Sequence, residues 1–179
     1  MSWRGIILRG RSEGAILPAA VPKNASEGAV PEQRRIIPPV YMLFALLAMA
    51  GLHYAIPLAR VVDPPLSYLG LVPLVIGITI AATAARMFDR AGTPIRPFER
   101  STKLVTAGPY RYTRNPMYVG LTLILIGVWL LLGTASAALP IAIFVWIIQS
   151  RFIRGEERFL DEIFGEQYRG YKSRVRRWI

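Results

Sequence analysis

The stretch GPYRYTRNPMYVG, residues 108–120, runs without a break into LTLILIGVWLLLG, residues 121–133. Its first half crowds two prolines, three glycine or asparagine turn formers, two arginines and three tyrosines against an apolar run. Asn115-Pro116 is a helix-start signal, with Asn as N-cap and Pro at the first helical position. Gly108-Pro109, just upstream, demands a turn. A helix is therefore expected from Pro116, opening at a membrane surface. Its unpaired first-turn amides face the polar segment before it and attract an anionic group such as a carboxylate or phosphate.

Working outward, the chain has 179 residues, 53% of them hydrophobic, gathered in blocks rather than spread evenly. A membrane-crossing helix needs about 20 apolar residues. Four spans are expected, at about 39–59, 66–85, 116–132 and 137–153. The last two are short and would cross nearly upright or thin the bilayer locally. Only GTAS, Gly133–Ser136, separates them, so they should form a tight antiparallel hairpin. The fold class is thus an all-α integral membrane protein with four transmembrane helices. Residues 38–179 form its membrane domain and 155–179 its cytoplasmic amphipathic helices. Residues 1–37, basic and broken by Pro18, Pro22 and Pro31, read as a poorly structured or surface-lying cytoplasmic arm.

Charge tests this count. Of the 22 Lys and Arg, six lie in residues 1–37, seven in 86–114 and eight in 151–179. With four spans all three basic segments fall on one side, and the positive-inside rule makes that side, with both termini, cytoplasmic. The net charge of +11 then reports membrane topology, not nucleic-acid binding. In the tail, Leu160, Ile163, Phe164, Tyr168, Tyr171, Val175 and Trp178 form a helical stripe, interrupted at Gly165 and Gly170. Its basic face suits anionic lipid headgroups. The absence of Cys and the single His, His53, exclude disulfides and multi-histidine metal sites. No metal is expected. His53 falls in the outer half of the first span, as a hydrogen-bonded packing residue. Gly70, Gly77 and Ala81 of the second span are expected at close helix contacts.

If GTAS is the hairpin's tip, residue 115 lies level with 153 or 154. Asn115, Tyr118, Arg111 and Arg114 then approach Arg151, Arg154, Glu156 and Glu157. Acids, bases, tyrosines and a helix N-terminus converge at one cytoplasmic edge, a constellation suited to a zwitterionic ligand.

The sequence LVTAGPYRYTRNPMYVG, a short membrane hairpin, and then EERFLDEIFGEQYRGYKSRV resemble the isoprenylcysteine carboxyl methyltransferase family, which has relatives among phospholipid N-methyltransferases. The resemblance covers about Leu104–Val175. It implies an integral membrane enzyme using S-adenosyl-L-methionine, with cofactor contacts at Lys103, Leu104, Val105, Tyr110, Asn115, Pro116, Met117, Tyr118 and Glu156. In this reading Glu156 holds the cofactor's cationic or hydroxyl end, and Asn115 with the amides after it holds polar groups. Tyr110 and Tyr118 pack on adenosine or sulfonium. Two departures stand out. The family's Arg-His-Pro reads Arg114-Asn115-Pro116, and Asn cannot titrate. The family's substrate-holding arginine falls near Phe152, so Arg151 or Arg154 is expected in its place as the catalytic, substrate-positioning group.

The expected acceptor is a lipophilic small molecule or lipid, and membrane lipids are the other partner. The expected location is a prokaryotic plasma or inner membrane. Rival readings are a phospholipid or amine N-methyltransferase of the same family, a non-enzymatic membrane anchor or assembly protein, and a nicotinamide-dependent reductase on a related membrane fold.

Overall fold

A computed structural model of the protein describes residues 17–18, 37–91 and 103–179, without the side chains of residues 17, 18, 89, 91 and 103. The reading of residues 1–37 as a loose arm falls almost wholly outside the described residues. Within them, β1 (Leu17–Pro18) pairs antiparallel with β2 (Lys103–Leu104), Leu17 opposite Leu104. This short ladder is a small addition to an otherwise helical architecture.

The helices are α1 (Pro38–Ala55), α2 (Leu71–Ala91), α3 (Pro116–Leu132), α4 (Leu139–Ile147), α5 (Arg154–Phe164) and α6 (Glu166–Arg174). A 3₁₀ turn at Leu66–Gly70 leads into α2, and another at Ala135–Ala138 leads into α4. A π-helical stretch, Ile148–Ile153, joins α4 to α5. Among the described residues, three continuous helical runs are long and apolar enough to cross a membrane: Pro38–Ala55, Leu66–Phe88 and Ala135–Phe164. The apolar helix Pro116–Leu132 is shorter, at 17 residues. The third run carries helix past residue 153 without a break, so the fourth expected span and the first tail helix are one rod.

Helix α3 starts at Pro116 and stops at Gly133, whose φ of 72° only glycine adopts without strain. The chain reverses there, and α4 returns alongside α3. Within this hairpin α3 nonetheless lies chiefly against α2. Glycine explains the preference. A Cβ on Gly77 would sit 2.6 Å from the carbonyl oxygen of Gly120, and one on Gly120 would sit 2.8 Å from Ala81 Cβ. Gly70 and Gly127 make the same reciprocal contact one heptad away. Without side chains to hold them apart the two backbones touch, which is how membrane helices gain dispersion energy when lipid leaves no hydrophobic driving force between them. On its other side α3 shares a core with α1 and α4, made by Ala45, Met49, Leu125, Phe144 and Ile148.

In the tail, Gly165 (φ 50°) separates α5 from α6 as expected. Gly170 does not interrupt α6, and the helical stripe does not reach Trp178. Val175 is already extended (φ −119°, ψ 133°), because the residues after it bond to the segment before α3 rather than to their own helix.

At the opposite end of the bundle, His53 Nδ1 lies 3.1 Å from Thr134 Oγ1, and the Trp129 indole donates to the Thr134 carbonyl. His53 is a hydrogen-bonded packing residue, remote from the basic end.

Candidate active site

The site is built where the start of α3 meets α5. Gly108 (φ 57°) and Pro109 turn the chain into a single 3₁₀ turn, Gly108–Arg111. A Cβ at Gly108 would meet only the yielding end of the Met87 side chain of α2, at 2.7 Å, so it is the positive φ that calls for glycine here. The turn buries Tyr110 against Ala84 and Val105, with Met87, Phe88 and Met117 around them. The Phe88 ring meets Tyr110 edge-on at 5.6 Å. The Tyr110 carbonyl accepts a 2.7 Å hydrogen bond from the Tyr171 hydroxyl of α6. Burial pushes the Tyr110 phenol well above its ordinary pKa, with Tyr171 and Glu156 adding to the rise.

Asn115 occupies the N-cap position of α3, but its side chain makes no cap. Its Nδ2 donates instead to the carbonyl of Arg177, at 2.9 Å. The returning tail supplies an acceptor that outcompetes the cap. Pro116 follows, buried, at the first helical position. One turn on, the Tyr118 hydroxyl donates to Glu156 Oε1 at 2.7 Å.

Glu156 and Glu157 are adjacent but differently used. Glu157 is buried and neutralised twice. Arg114 Nη2 lies 3.1 Å from its Oε1, and Arg177 grips both oxygens, Nε to Oε1 at 2.9 Å and Nη2 to Oε2 at 2.6 Å. Glu156 is half-buried, and among the described residues its partner is a neutral hydroxyl, with no cation paired to it. Arg114, whose side chain is 9% exposed, pairs with Glu157 through Nη2, while its Nε and Nη1 find no acceptor among the described residues. Among the described residues, a carboxylate with no paired cation and a guanidinium with two unbonded nitrogens thus lie at one junction.

The sequence-expected residues divide into groups. Tyr118 and Glu156 are in direct contact, with Asn115 and Pro116 one turn away. Val105, Tyr110 and Met117 share the cluster under the 3₁₀ turn. Leu104 is buried among Phe164, Tyr168 and Tyr171. Lys103 lies on β2 and its side chain is outside the described set. Arg151 and Arg154 are both exposed, while Phe152 and Ile153 between them are buried. The π-helical stretch turns those arginines outward, since its wider turn shifts the register of the inward face. Sequence reasoning missed Thr113, Arg177 and Trp178. The glutamate doublet was a usable signal for Glu157; nothing local announced the other three.

A family model described as phospholipid methyltransferase matches residues 66–167, more than half of the chain. The chain belongs to the phospholipid methyltransferase family. The matched residues run from the 3₁₀ turn before α2 into α6, and so contain both walls of the site. Within this family's reach, a probable protein-S-isoprenylcysteine O-methyltransferase of Oryza sativa subsp. indica is 32% identical over 111 residues, covering 61% of this chain and 58% of the relative. The protein-S-isoprenylcysteine O-methyltransferase of Mus musculus is 36% identical over 119 residues, 62% of this chain and 40% of that one. The chain therefore spans little more than half the length of these relatives or less. Among solved structures, the eukaryotic intramembrane Ras methyltransferase ICMT (isoprenylcysteine carboxyl methyltransferase) superposes with a TM-score of 0.61 at 25% identity, over 79% of this chain and 51% of that one. Family membership and the superposed structure thus account for the helical membrane fold.

Proposed function

We propose that this chain is an S-adenosylmethionine-dependent methyltransferase of the membrane, acting on a lipophilic acceptor that reaches the site from the bilayer. The observation that carries the reading is the Tyr118–Glu156 hydrogen bond. Among the described residues this hydroxyl, and no cation, partners a half-buried carboxylate inside the residues matched by a methyltransferase family model. The names of the relatives, protein-S-isoprenylcysteine O-methyltransferases, support an isoprenylcysteine-like carboxylate as the first acceptor to test. A phospholipid or amine acceptor is the second, favoured by the exposure of both Arg151 and Arg154, the groups expected to hold a carboxylate.

The residues present fit a zwitterionic methyl donor. Glu156 would hold its ammonium. The two unpaired nitrogens of Arg114, with the first-turn amides of α3, would hold its carboxylate. Tyr110, Met117 and Val105 would bound its apolar and aromatic part, and Leu104, Lys103, Asn115 and Pro116 would shape the wall around it. S-adenosylmethionine supplies a methyl on a sulfonium, already activated, so that the acceptor's lone pair forms the new bond as the carbon–sulfur bond breaks. The chain's task is then alignment and exclusion of water rather than nucleophilic catalysis. Tyr118 orients the Glu156 carboxylate. An acceptor dissolved in the inner leaflet and a donor dissolved in the cytoplasm can meet only at such a surface.

The catalytic unit in this reading is residues 38–179, with four spans. At 1.5 Å per residue α3 is about 26 Å long, a little less than the hydrocarbon core of about 30 Å, so it crosses upright or in a thinned bilayer. The basic end is cytoplasmic, and the basic residues of α6 lie among anionic headgroups.

The deciding experiment is transfer of labelled methyl from S-adenosylmethionine into a lipid extract and into a prenylated cysteine analogue, with Glu156→Ala beside the wild type. Transfer by the wild type and none by the variant is expected. A folded wild type that neither binds the donor nor transfers methyl would sink the enzyme reading. Equal donor binding by both proteins would sink the assignment of Glu156.

A further inference from the structure

The residues after α6 do not trail into solvent. Val175 leaves the helix in extended form, and the next three residues lie across the junction of α3 and α5. The Arg114 N–H donates to the Arg176 carbonyl at 2.9 Å. The Arg177 carbonyl accepts from Thr113 Oγ1 at 3.1 Å and from Asn115 Nδ2 at 2.9 Å. The Trp178 indole donates to Gln149 Oε1 at 2.7 Å, and its ring packs on the core shared by α1, α3 and α4. Arg177 therefore touches both walls of the site. Its backbone holds residues 113 and 115, and its guanidinium holds both oxygens of Glu157 on α5.

We propose that Arg177 is a positioning residue for methyl transfer: Val175–Trp178 is a strap, and through Arg177 it keeps Glu156 in register with Tyr118 and the first turn of α3. This inference rests on the reading of the Tyr118–Glu156 junction as the donor site. The physical argument is one of linkage between adjacent residues. Glu156 and Glu157 sit on consecutive positions of one helix, so whatever fixes the Glu157 carboxylate fixes the rotation of α5 and hence the direction of Glu156. Arg114 holds Glu157 from the α3 side by one nitrogen. Arg177 holds it by two, in the fork geometry that specifies orientation as well as distance. Removing the fork leaves the charge of Glu157 balanced but its angle free. A misdirected Glu156 carboxylate no longer meets the donor's ammonium squarely, so the loss falls on the donor's charge-assisted hydrogen bond.

The role is one of alignment, and a lysine at this position separates it from simple charge neutralisation. Lysine keeps the charge but is a point donor that cannot span both carboxylate oxygens. The experiment measures KM for S-adenosylmethionine, KM for the acceptor, kcat and thermal stability for wild type, Arg177→Lys and Arg177→Ala, in full-length protein in lipid nanodiscs. Gly77→Ala, in the remote α2–α3 seam, serves as a control of lowered stability. The expected result is a rise in the donor KM of about tenfold or more in Arg177→Lys, with Tm close to wild type and the acceptor KM unchanged. Arg177→Ala should show a larger donor effect. If it does not fold, the lysine variant alone decides.

A donor KM in Arg177→Lys equal to wild type overturns the inference. So does a donor KM that merely tracks Tm, as it would in Gly77→Ala. An inactive wild type that does not bind the donor instead overturns the reading of the site, and the two failures are distinct.

Discussion

The Tyr118 hydroxyl and the Glu156 carboxylate, 38 positions apart in the chain, meet at 2.7 Å, while the neighbouring Glu157 takes both arginines. Adjacent carboxylates thus stand in different surroundings, and in the proposed reading only Glu156 is left to meet the donor. Replacing Tyr118 by Phe removes the donor and keeps the ring. A hydrogen bond to a charged group contributes about 1.5–3 kcal/mol, so S-adenosylmethionine affinity should fall by about tenfold or more. Calorimetric titration of both proteins in detergent checks this. An unchanged affinity means that the hydroxyl does not orient Glu156 for the donor.

Glu157→Gln should behave in the opposite way to Glu156→Gln. Removing the charge of Glu157 leaves Arg114, 9% exposed, without its counter-ion, at a cost on the order of 3 kcal/mol. A marked drop in Tm is expected for Glu157→Gln and little change for Glu156→Gln, whose carboxylate among the described residues balances no cation. Thermal unfolding followed by intrinsic fluorescence separates the two. Equal losses would show that both glutamates are structural.

The α2–α3 seam predicts a contrast between two glycines. Gly77→Ala places a methyl 2.6 Å from the Gly120 carbonyl oxygen and 2.8 Å from the Ile124 nitrogen. Such overpacking costs about 1–3 kcal/mol. Gly51→Ala, on α1, meets nothing within 4 Å and should leave Tm unchanged or raise it, since alanine is the better helix former. Melting curves in one detergent test the pair. A neutral Gly77→Ala would mean that the seam is looser than its backbone contacts require.

The tyrosines of the tail set an alkaline limit. Burial, helped by the Glu157 charge and opposed by Arg114, pushes the Tyr168 phenol up to about 12. Burial, then the neighbouring Tyr168, raises Tyr171 as well. The native pKa lies above the unfolded value of about 10, so this contribution is complete below pH 10 and is lost as pH rises through 12. Phenolate absorbance near 295 nm should show these groups ionising late and together with loss of near-ultraviolet circular dichroism. Ionisation of every tyrosine near pH 10 in a still-folded protein would contradict the buried cluster.

Much of this arrangement was open to inspection before any coordinates. The start of α3 followed from Asn115-Pro116, because a proline at the first helical position acts locally even though the Asn115 side chain turns to Arg177 rather than capping. That Arg114 and Tyr118 would face Glu156 and Glu157 followed from a short link and a constant rise per residue. The partner of α3 did not follow, because Gly120 and Gly127 suit any small-residue neighbour and only the paired spacing in α2 selects one. The outward turn of Arg151 and Arg154 was hidden, because a π-helical stretch carries no compositional mark here. The strap was hidden too. Val175–Trp178 has the basic, aromatic make-up of the helix before it, and its extended form is dictated by acceptors and donors some sixty positions away.

The paired glycines have a mechanical consequence. Gly70 lies on Gly127 and Gly77 on Gly120, seven residues apart on both helices. Sliding one helix by a single position would drive side chains into the opposing backbone at both contacts at once. The two helices therefore behave as one stave. Any breathing of the bundle must fall on the other seams, where α1 and α4 meet α3 through Met49, Leu125 and Phe144, side chains that can change rotamer and yield.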